Sequence, residues 1–302
     1  MLDQRDRALG ALYGLAIGDA LGMPVQGFER ARAAAVLGTP ADFRDPPEDQ
    51  PIARRLRAGN VTDDTMQCLI VARLLIEGGG HIAPRAMASA LVDWEADMRR
   101  RGLAELLGPS TKRAVTAVAA GEDPATTGRS GTTNGAAMRI TPVGIATPRD
   151  RLIEAVVEAD RVTHDTPIAH AGAAVVATVV SAGLDGATVE EAAELAVQAA
   201  GRFGFGELFA HAGIGATGVE TAESVPTAFA LARAHPRNAW TACTTAAALG
   251  GDADTIAAMA GAMVGACNGA ASLPARAVAA VRGANALDFE SLVDALLALR
   301  NR

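Results

Sequence analysis

Residues 62–65 read Thr-Asp-Asp-Thr, and residues 250–255 read Gly-Gly-Asp-Ala-Asp-Thr. Each string sets two carboxylates and a hydroxyl in front of an apolar run, where the first turn of a helix is expected. One reading is capping. Thr and Asp side chains accept hydrogen bonds from the free N–H groups of a first turn, and acids there are favoured by the helix dipole. The other reading is ligation of a hard divalent cation, which takes carboxylate and hydroxyl oxygens. Asp63 and Asp64 are adjacent, and Asp252 and Asp254 can converge after a Gly-Gly turn, so more negative charge is gathered than capping requires. If the two helix starts meet, Thr62, Asp63, Asp64, Asp252, Asp254 and Thr255 form one shell, suited to two ions about 3.5–4 Å apart. A calcium loop of the EF-hand type starting at Asp252 fails, because Ile256 would fill its fifth position and Met263 its twelfth. Spacing alone leaves capping and metal binding both open.

The elements that must position these acids read as helices. Alanine is spread throughout, aromatic residues make up 3% of the chain, and no alternating runs are divided by hairpin turns, so the fold class is all-α. With 302 residues, 50% of them hydrophobic, the chain can bury a substantial core, and residues 1–302 are expected to form one domain. After the first string, Met66, Leu69, Ile70 and Leu74 fall at helical spacing and Gly78 supplies a stop. After the second, Gly261, Gly265 and Gly269 share one stripe that lets another helix approach closely, so this helix is expected to be central. Residues 38–60, with four prolines and many charges, read as a surface loop.

Composition excludes some functions. A net charge of −7 leaves no surplus positive field for a nucleic acid, although local groups can still hold a small anion. The N-terminal "MLDQRDRALG" lacks the apolar core of a signal peptide, and Cys68, Cys243 and Cys267 each lie in an apolar helical pattern that suits reduced core thiols. A cytoplasmic protein is expected. The most apolar stretch, from Ile168 to Leu184, contains His170 and reads as a buried helix in preference to a membrane span.

Five motifs in order, "GLAIGDALGMPVQG" (residues 14–27), "VTDDTMQ", "GTTNGAAMRITPVG", "THDTP" and "GGDADTIAAMAGAMVGACNG", resemble the ADP-ribosylglycohydrolase family over nearly the whole chain. The resemblance implies a compact all-α fold and a binuclear Mg²⁺ site, with Mn²⁺ as the alternative, held by Thr62, Asp63, Asp64, Asp252, Asp254 and Thr255. It implies ADP-ribose or an ADP-ribosylated substrate as the partner. Ser130, Gly131, Thr132, Asn134 and Gly135 would meet its phosphates and ribose, since a glycine-rich turn lets a pyrophosphate approach the backbone. His164 falls where the family has a histidine near the distal ribose or phosphate. Asp63 or Asp252 would accept or orient a proton during hydrolysis at the anomeric carbon.

One position departs from the family. Several relatives carry a glutamate where this chain has Gln26, and an amide cannot take a proton as a carboxylate does. Two other functions follow: hydrolysis of a smaller ribosylated metabolite or nucleoside-like compound, and catalytically silent binding of ADP-ribose. Other features take ordinary roles. Tyr13, Phe28, Trp94, Phe203, Phe205, Phe209 and Trp240 are expected in the core. Arg139 could meet a phosphate but reads first as an ion-pair partner; Ser110 and Thr111 read first as a helix cap, with lining the site as the alternative the resemblance implies; and Arg99 to Gly102 read as a solvated helix end. His81, His170, His211 and His235 read as structural or exposed.

Overall fold

A computed structural model describes residues 3–39, 41–103 and 106–302. Among these residues are sixteen α-helices and no β-strand; extended backbone pairs only in an isolated bridge between Thr133 and Glu220. The first eight helices are α1 (Gln4–Gly22), α2 (Arg30–Leu37), α3 (Asp63–Glu77), α4 (Pro84–Arg101), α5 (Pro109–Ala119), α6 (Gly135–Met138), α7 (Thr141–Ala146) and α8 (Leu152–Asp160). Then follow α9 (Pro167–Leu184), α10 (Val189–Gly201), α11 (Gly206–Ala210), α12 (Thr221–Ala234), α13 (Ala239–Ala247), α14 (Ala253–Asn268), α15 (Ala275–Asn285) and α16 (Phe289–Arg300).

The closest pairing joins α1 to α14, and its cause is a seam without side chains. Helix α1 carries Gly10, Gly14, Gly18 and Gly22 at four-residue spacing, which places them on one face. A Cβ on Gly14 would stand 2.2 Å from the Gly261 carbonyl oxygen, and one on Gly18 would stand 2.1 Å from that of Ala257. At the end of the seam, a Cβ on Gly22 would lie 2.3 Å from the Asp254 backbone. Backbone therefore rests on backbone, and the contact delivers the start of α14 beside the end of α1. Helices α9, α12 and α13 pack round α14 and complete the main core.

Two segments, Gln4–Val25 and Pro167–Leu184, are long and apolar enough to cross a membrane, yet 94% and 89% of their apolar windows are buried inside the fold. Protein packing consumes that surface. The three cysteines are free and buried. Tyr13 packs edge-on against Phe289, and Phe209 against Phe229.

The structure refines one expectation and corrects another. The face of α3 turned most fully inward is Cys68, Val71, Ala72 and Leu75, whereas Met66, Leu69, Ile70 and Leu74 are only partly buried. Both sets keep helical spacing; the first wins because α3 needs Asp64 and Thr65 pointing toward α1 and α14, and this fixes its rotation. The loop 38–60, of which Pro40 lies outside the described residues, is not wholly superficial: Gln50, Ala53 and Leu56 are buried. The Gln50 amide donates to the Gln26 carbonyl at 2.8 Å and accepts from the Ile52 and Ala53 N–H groups, pinning the loop beside the site.

Candidate functional site

Neither string caps its helix. The Thr62 side chain makes no capping bond to α3, nor does Asp252 to α14. The start of α3 is capped instead by a residue of another helix, Asp19 in α1. Its carboxylate accepts from the Thr62 N–H at 2.9 Å, the Thr65 N–H at 3.1 Å, and the two threonine hydroxyls at 2.7 and 2.5 Å. Asp19 was missed by the sequence reading. Its signal was present, since it is the one charged residue between Ala8 and Gly22 in a helix buried on every side.

The two strings meet. Asp64 Oδ2 stands 3.2 Å from the Thr62 hydroxyl and 3.4 Å from the Thr255 hydroxyl of α14. Thr62 has one hydroxyl proton and two carboxylates, Asp19 and Asp64, in reach of it, so donors fall short of acceptors. Asp64 Oδ1 and Asp254 Oδ1 are buried with no hydrogen-bond partner at all. Five carboxylates, from Asp19, Asp63, Asp64, Asp252 and Asp254, thus share one region. Burial first, and then the charges of neighbouring aspartates, hold Asp63, Asp64 and Asp254 well above the usual carboxylate range. Burial pushes Asp19 and Asp252 up to about 6, against the hydrogen bonds they accept. Among the described residues no three Asp, Glu, His or Cys side chains already stand as a ready metal cage. The acids form a wall with unmet acceptor capacity, which is chemistry suited to cations.

That wall borders a cavity of about 160 Å³. Asp63, Asp252, Asp254 and Thr255 line one side; Thr133, Asn134, Gly135 and Thr111 line another; Gln26, Ile52, Leu107, Met138 and Val219 close the rest. The Gln26 amide nitrogen is buried and unpartnered there. The Asn134 amide donates to Asp252 Oδ2 and, at 2.8 Å, to the Ser224 hydroxyl, while the Gln67 amide donates to Asp63 Oδ2 at 3.3 Å. Each of these two aspartates is therefore held by one oxygen.

Several predicted site residues sit elsewhere. Ser130, Gly131 and Thr132 are not among the cavity-lining residues, and their carbonyls staple the loop: Arg113 donates to Ser130, the Thr166 hydroxyl to Gly131, and the Thr221 N–H to Thr132. Thr133, which follows them, does line it. His164 is fully buried behind Thr133 and Gly135 and reaches the cavity through the Thr133 hydroxyl, 3.2 Å from its Nε2. Burial, aided by the charge of Arg139, holds the His164 imidazole well below its usual value and so neutral. Ser110 and Thr111 do not cap α5, whose cap is Gly108; they are buried in its first turn, which frees Thr111 for the cavity. Arg139 forms no ion pair among the described residues. It is buried and donates to Gln67 Oε1 at 2.8 Å and to the Thr163 hydroxyl at 2.5 Å.

Behind His164, His170 lies between two acids, with Nδ1 3.2 Å from Asp160 and Nε2 3.1 Å from Asp165. Burial alone would lower its pKa; the hydrogen bonds and charges of Asp160 and Asp165 outweigh that and raise it. A histidine raised in the folded state adds stability that is complete below its unfolded pKa of about 6.5 and is lost as pH rises through the folded value. Melting temperatures followed from pH 6 to 9 should therefore fall less steeply for His170→Gln than for the parent; parallel curves would remove this role.

The chain matches the family model for ADP-ribosylglycohydrolase across residues 1–302. It is 33% identical to the uncharacterised protein YegU of Escherichia coli (strain K12) over 98% of both chains. It is 34% identical to the ADP-ribosyl-[dinitrogen reductase] glycohydrolase of Rhodospirillum rubrum over 55% of this chain and 54% of that protein. Among solved structures, an ADP-ribosylglycohydrolase-related protein complex superposes with a TM-score of 0.75 at 27% identity, covering 98% of this chain and 99% of that one. The all-α fold is the one found in that ADP-ribosylglycohydrolase-related protein complex. The chain belongs to the ADP-ribosylglycohydrolase family, whose members act on glycosyl bonds of ADP-ribose.

Proposed function

We propose that this protein is a divalent-cation-dependent hydrolase that cleaves the glycosidic bond at the anomeric carbon of ADP-ribose joined to a protein side chain or a small molecule. The observation that carries the reading is the convergence of five carboxylates on one region, of which Asp63, Asp252 and Asp254 line the cavity, with Asp64 Oδ1 and Asp254 Oδ1 buried and unpaired. Unpaired buried charge is costly, and cations relieve it. Thr62, Asp63, Asp64, Asp252, Asp254 and Thr255 would hold two Mg²⁺ or Mn²⁺ ions. Magnesium keeps several waters and needs few protein ligands, so a wall short of a closed cage fits its donor chemistry. When bound, such ions polarise sugar hydroxyls and bring a water toward a pKa of ~7.

The chain's own groups do the rest. Asn134 fixes one oxygen of Asp252 and Gln67 one oxygen of Asp63, leaving the second oxygen of either to accept a proton from the attacking water. The carboxylates also favour the positive charge that grows on the sugar ring during glycoside cleavage. Gln26 presents an N–H donor to the ligand and takes no proton. Asn134 and Gly135, with Thr133, face the ribosyl part.

A second reading keeps the chemistry and changes the substrate to a smaller ribosylated or nucleoside-like compound. It is favoured by a cavity of about 160 Å³, below the roughly 300–1,000 Å³ usual for larger ligands, with no aromatic side chain among its described lining residues. Turnover of ADP-ribosylated arginine against free nucleosides decides between the two substrates. If neither is cleaved while ADP-ribose binds, the protein is a silent binder.

The metal requirement has its own measurement. Mn²⁺ or Mg²⁺ at 100 times its dissociation constant is expected to stabilise the protein by about 2.7 kcal/mol, visible as a higher melting temperature that a chelator reverses. A melting temperature indifferent to both ions refutes the metal assignment.

A further inference from the structure

We propose that Arg139 is a positioning residue that sets the direction of hydrogen bonding on both flanks of the site, an inference that rests on Asp63 and His164 serving there. An arginine can only donate. From its place in the turn between α6 and α7, one arm of the guanidinium donates to Gln67 Oε1. That fixes the amide so its nitrogen faces Asp63 Oδ2, 3.3 Å away. The flipped amide would turn a carbonyl toward the carboxylate and lose both bonds.

The other arm donates to the Thr163 hydroxyl, whose oxygen lies 2.7 Å from His164 Nδ1. The hydroxyl oxygen accepts from Arg139, and among the described residues Nδ1 is the one acceptor within reach of its proton, so the proton points there. The neutral imidazole must then carry its proton on Nε2 and donate it to Thr133, 3.2 Å away. The Thr133 proton is thereby left for an acceptor in the cavity. One buried cation orders two chains of donors, one ending on the acid wall and one on the ribosyl side. Burial lowers the Arg139 pKa to about 10, which leaves it charged at neutral pH.

The test uses the full chain and readouts separate from turnover. In ¹⁵N-histidine NMR spectra, with the His164 signals assigned by their loss in His164→Gln, a proton on Nε2 and none on Nδ1 is expected; a proton on Nδ1 overturns the proposal. Thr163→Val removes the donor with little change of shape and should let both tautomers appear, while an unchanged spectrum overturns that branch. For the other branch the probe is Mn²⁺ alone. Gln67→Leu should weaken its binding about 10–100-fold, as loss of a bond to a ligating carboxylate does, and Thr163→Val should not. Equal Mn²⁺ affinity in Gln67→Leu and the parent, or equal loss in both variants, overturns it. Arg139→Lys keeps the charge without the planar fork and should disturb both readouts. If the parent protein binds no Mn²⁺, the metal reading fails and the His164 tautomer alone decides for or against Arg139. Far-UV circular dichroism confirms that each variant is folded.

Discussion

Asp63→Ala is expected to lower kcat/KM on the cleaved substrate by about 10²–10⁴-fold, the range in which a positioned proton acceptor acts, while leaving helical circular dichroism intact. Asp63 is chosen because it lines the cavity and is one of two wall aspartates held by an amide, so its loss removes a reacting group and spares the Asp19 cap of α3. The neighbouring position gives the opposite sign on stability. Asp64 is buried among four other carboxylates, and its Oδ1 has no partner. Asp64→Asn deletes one of the repelling charges and gives the others a donor. Without metal, Asp64→Asn should therefore melt higher than the parent. With Mn²⁺ the order should reverse, because the variant lacks a ligand and gains less from the ion. A variant that melts lower in both conditions would mean that Asp64 is held by contacts other than a cation, and turnover retained in Asp63→Ala would move the proton acceptor elsewhere.

How much of this was legible in the chain depends on whether the signal was local. The acid strings were legible because residue type and spacing carry them: two carboxylates and a threonine before an apolar run need no knowledge of the rest of the fold. The close-packing face of α14 was legible for the same reason, as glycines four apart fall on one side of a helix wherever they occur. Asp19 was not, because a cap supplied by another helix leaves no trace at the start of α3; only the oddity of a lone charge in the apolar stretch from Ala8 to Gly22 pointed to it. The division of the "SGTTNG" loop was also hidden. Whether a loop residue lines the cavity or staples the loop depends on partners such as Arg113 and Thr166, distant in sequence, which bond the Ser130 and Gly131 carbonyls. Arg139 looked like an ion-pair residue because charge seeks charge, yet burial beside Gln67 and Thr163 gave it neutral acceptors.

The seam between α1 and α14 gives the second large effect. Alanine normally improves a helix over glycine by about 0.5–1 kcal/mol, so propensity alone would make Gly18→Ala stabilising. Geometry reverses that sign. The new methyl would lie 2.1 Å from the Ala257 carbonyl oxygen, a backbone atom that cannot move without the helix. Overpacking of this kind costs about 1–3 kcal/mol even where side chains can adjust, and here none can. Gly283 supplies the control, since it lies inside α15 with nothing within 4 Å of its missing Cβ; Gly283→Ala should show the ordinary helical gain. The clash at Gly18 adjoins Asp19 and sits one turn before the Asp254 contact at Gly22, so relief of strain must part the end of α1 from the start of α14. Chemical denaturation should find Gly18→Ala less stable by more than about 1 kcal/mol, and Mn²⁺ titration should find its affinity reduced as well. A Gly18→Ala protein as stable as Gly283→Ala would show that the two helices can slide apart freely, and the seam would then not be what brings the acids of α1 and α14 together.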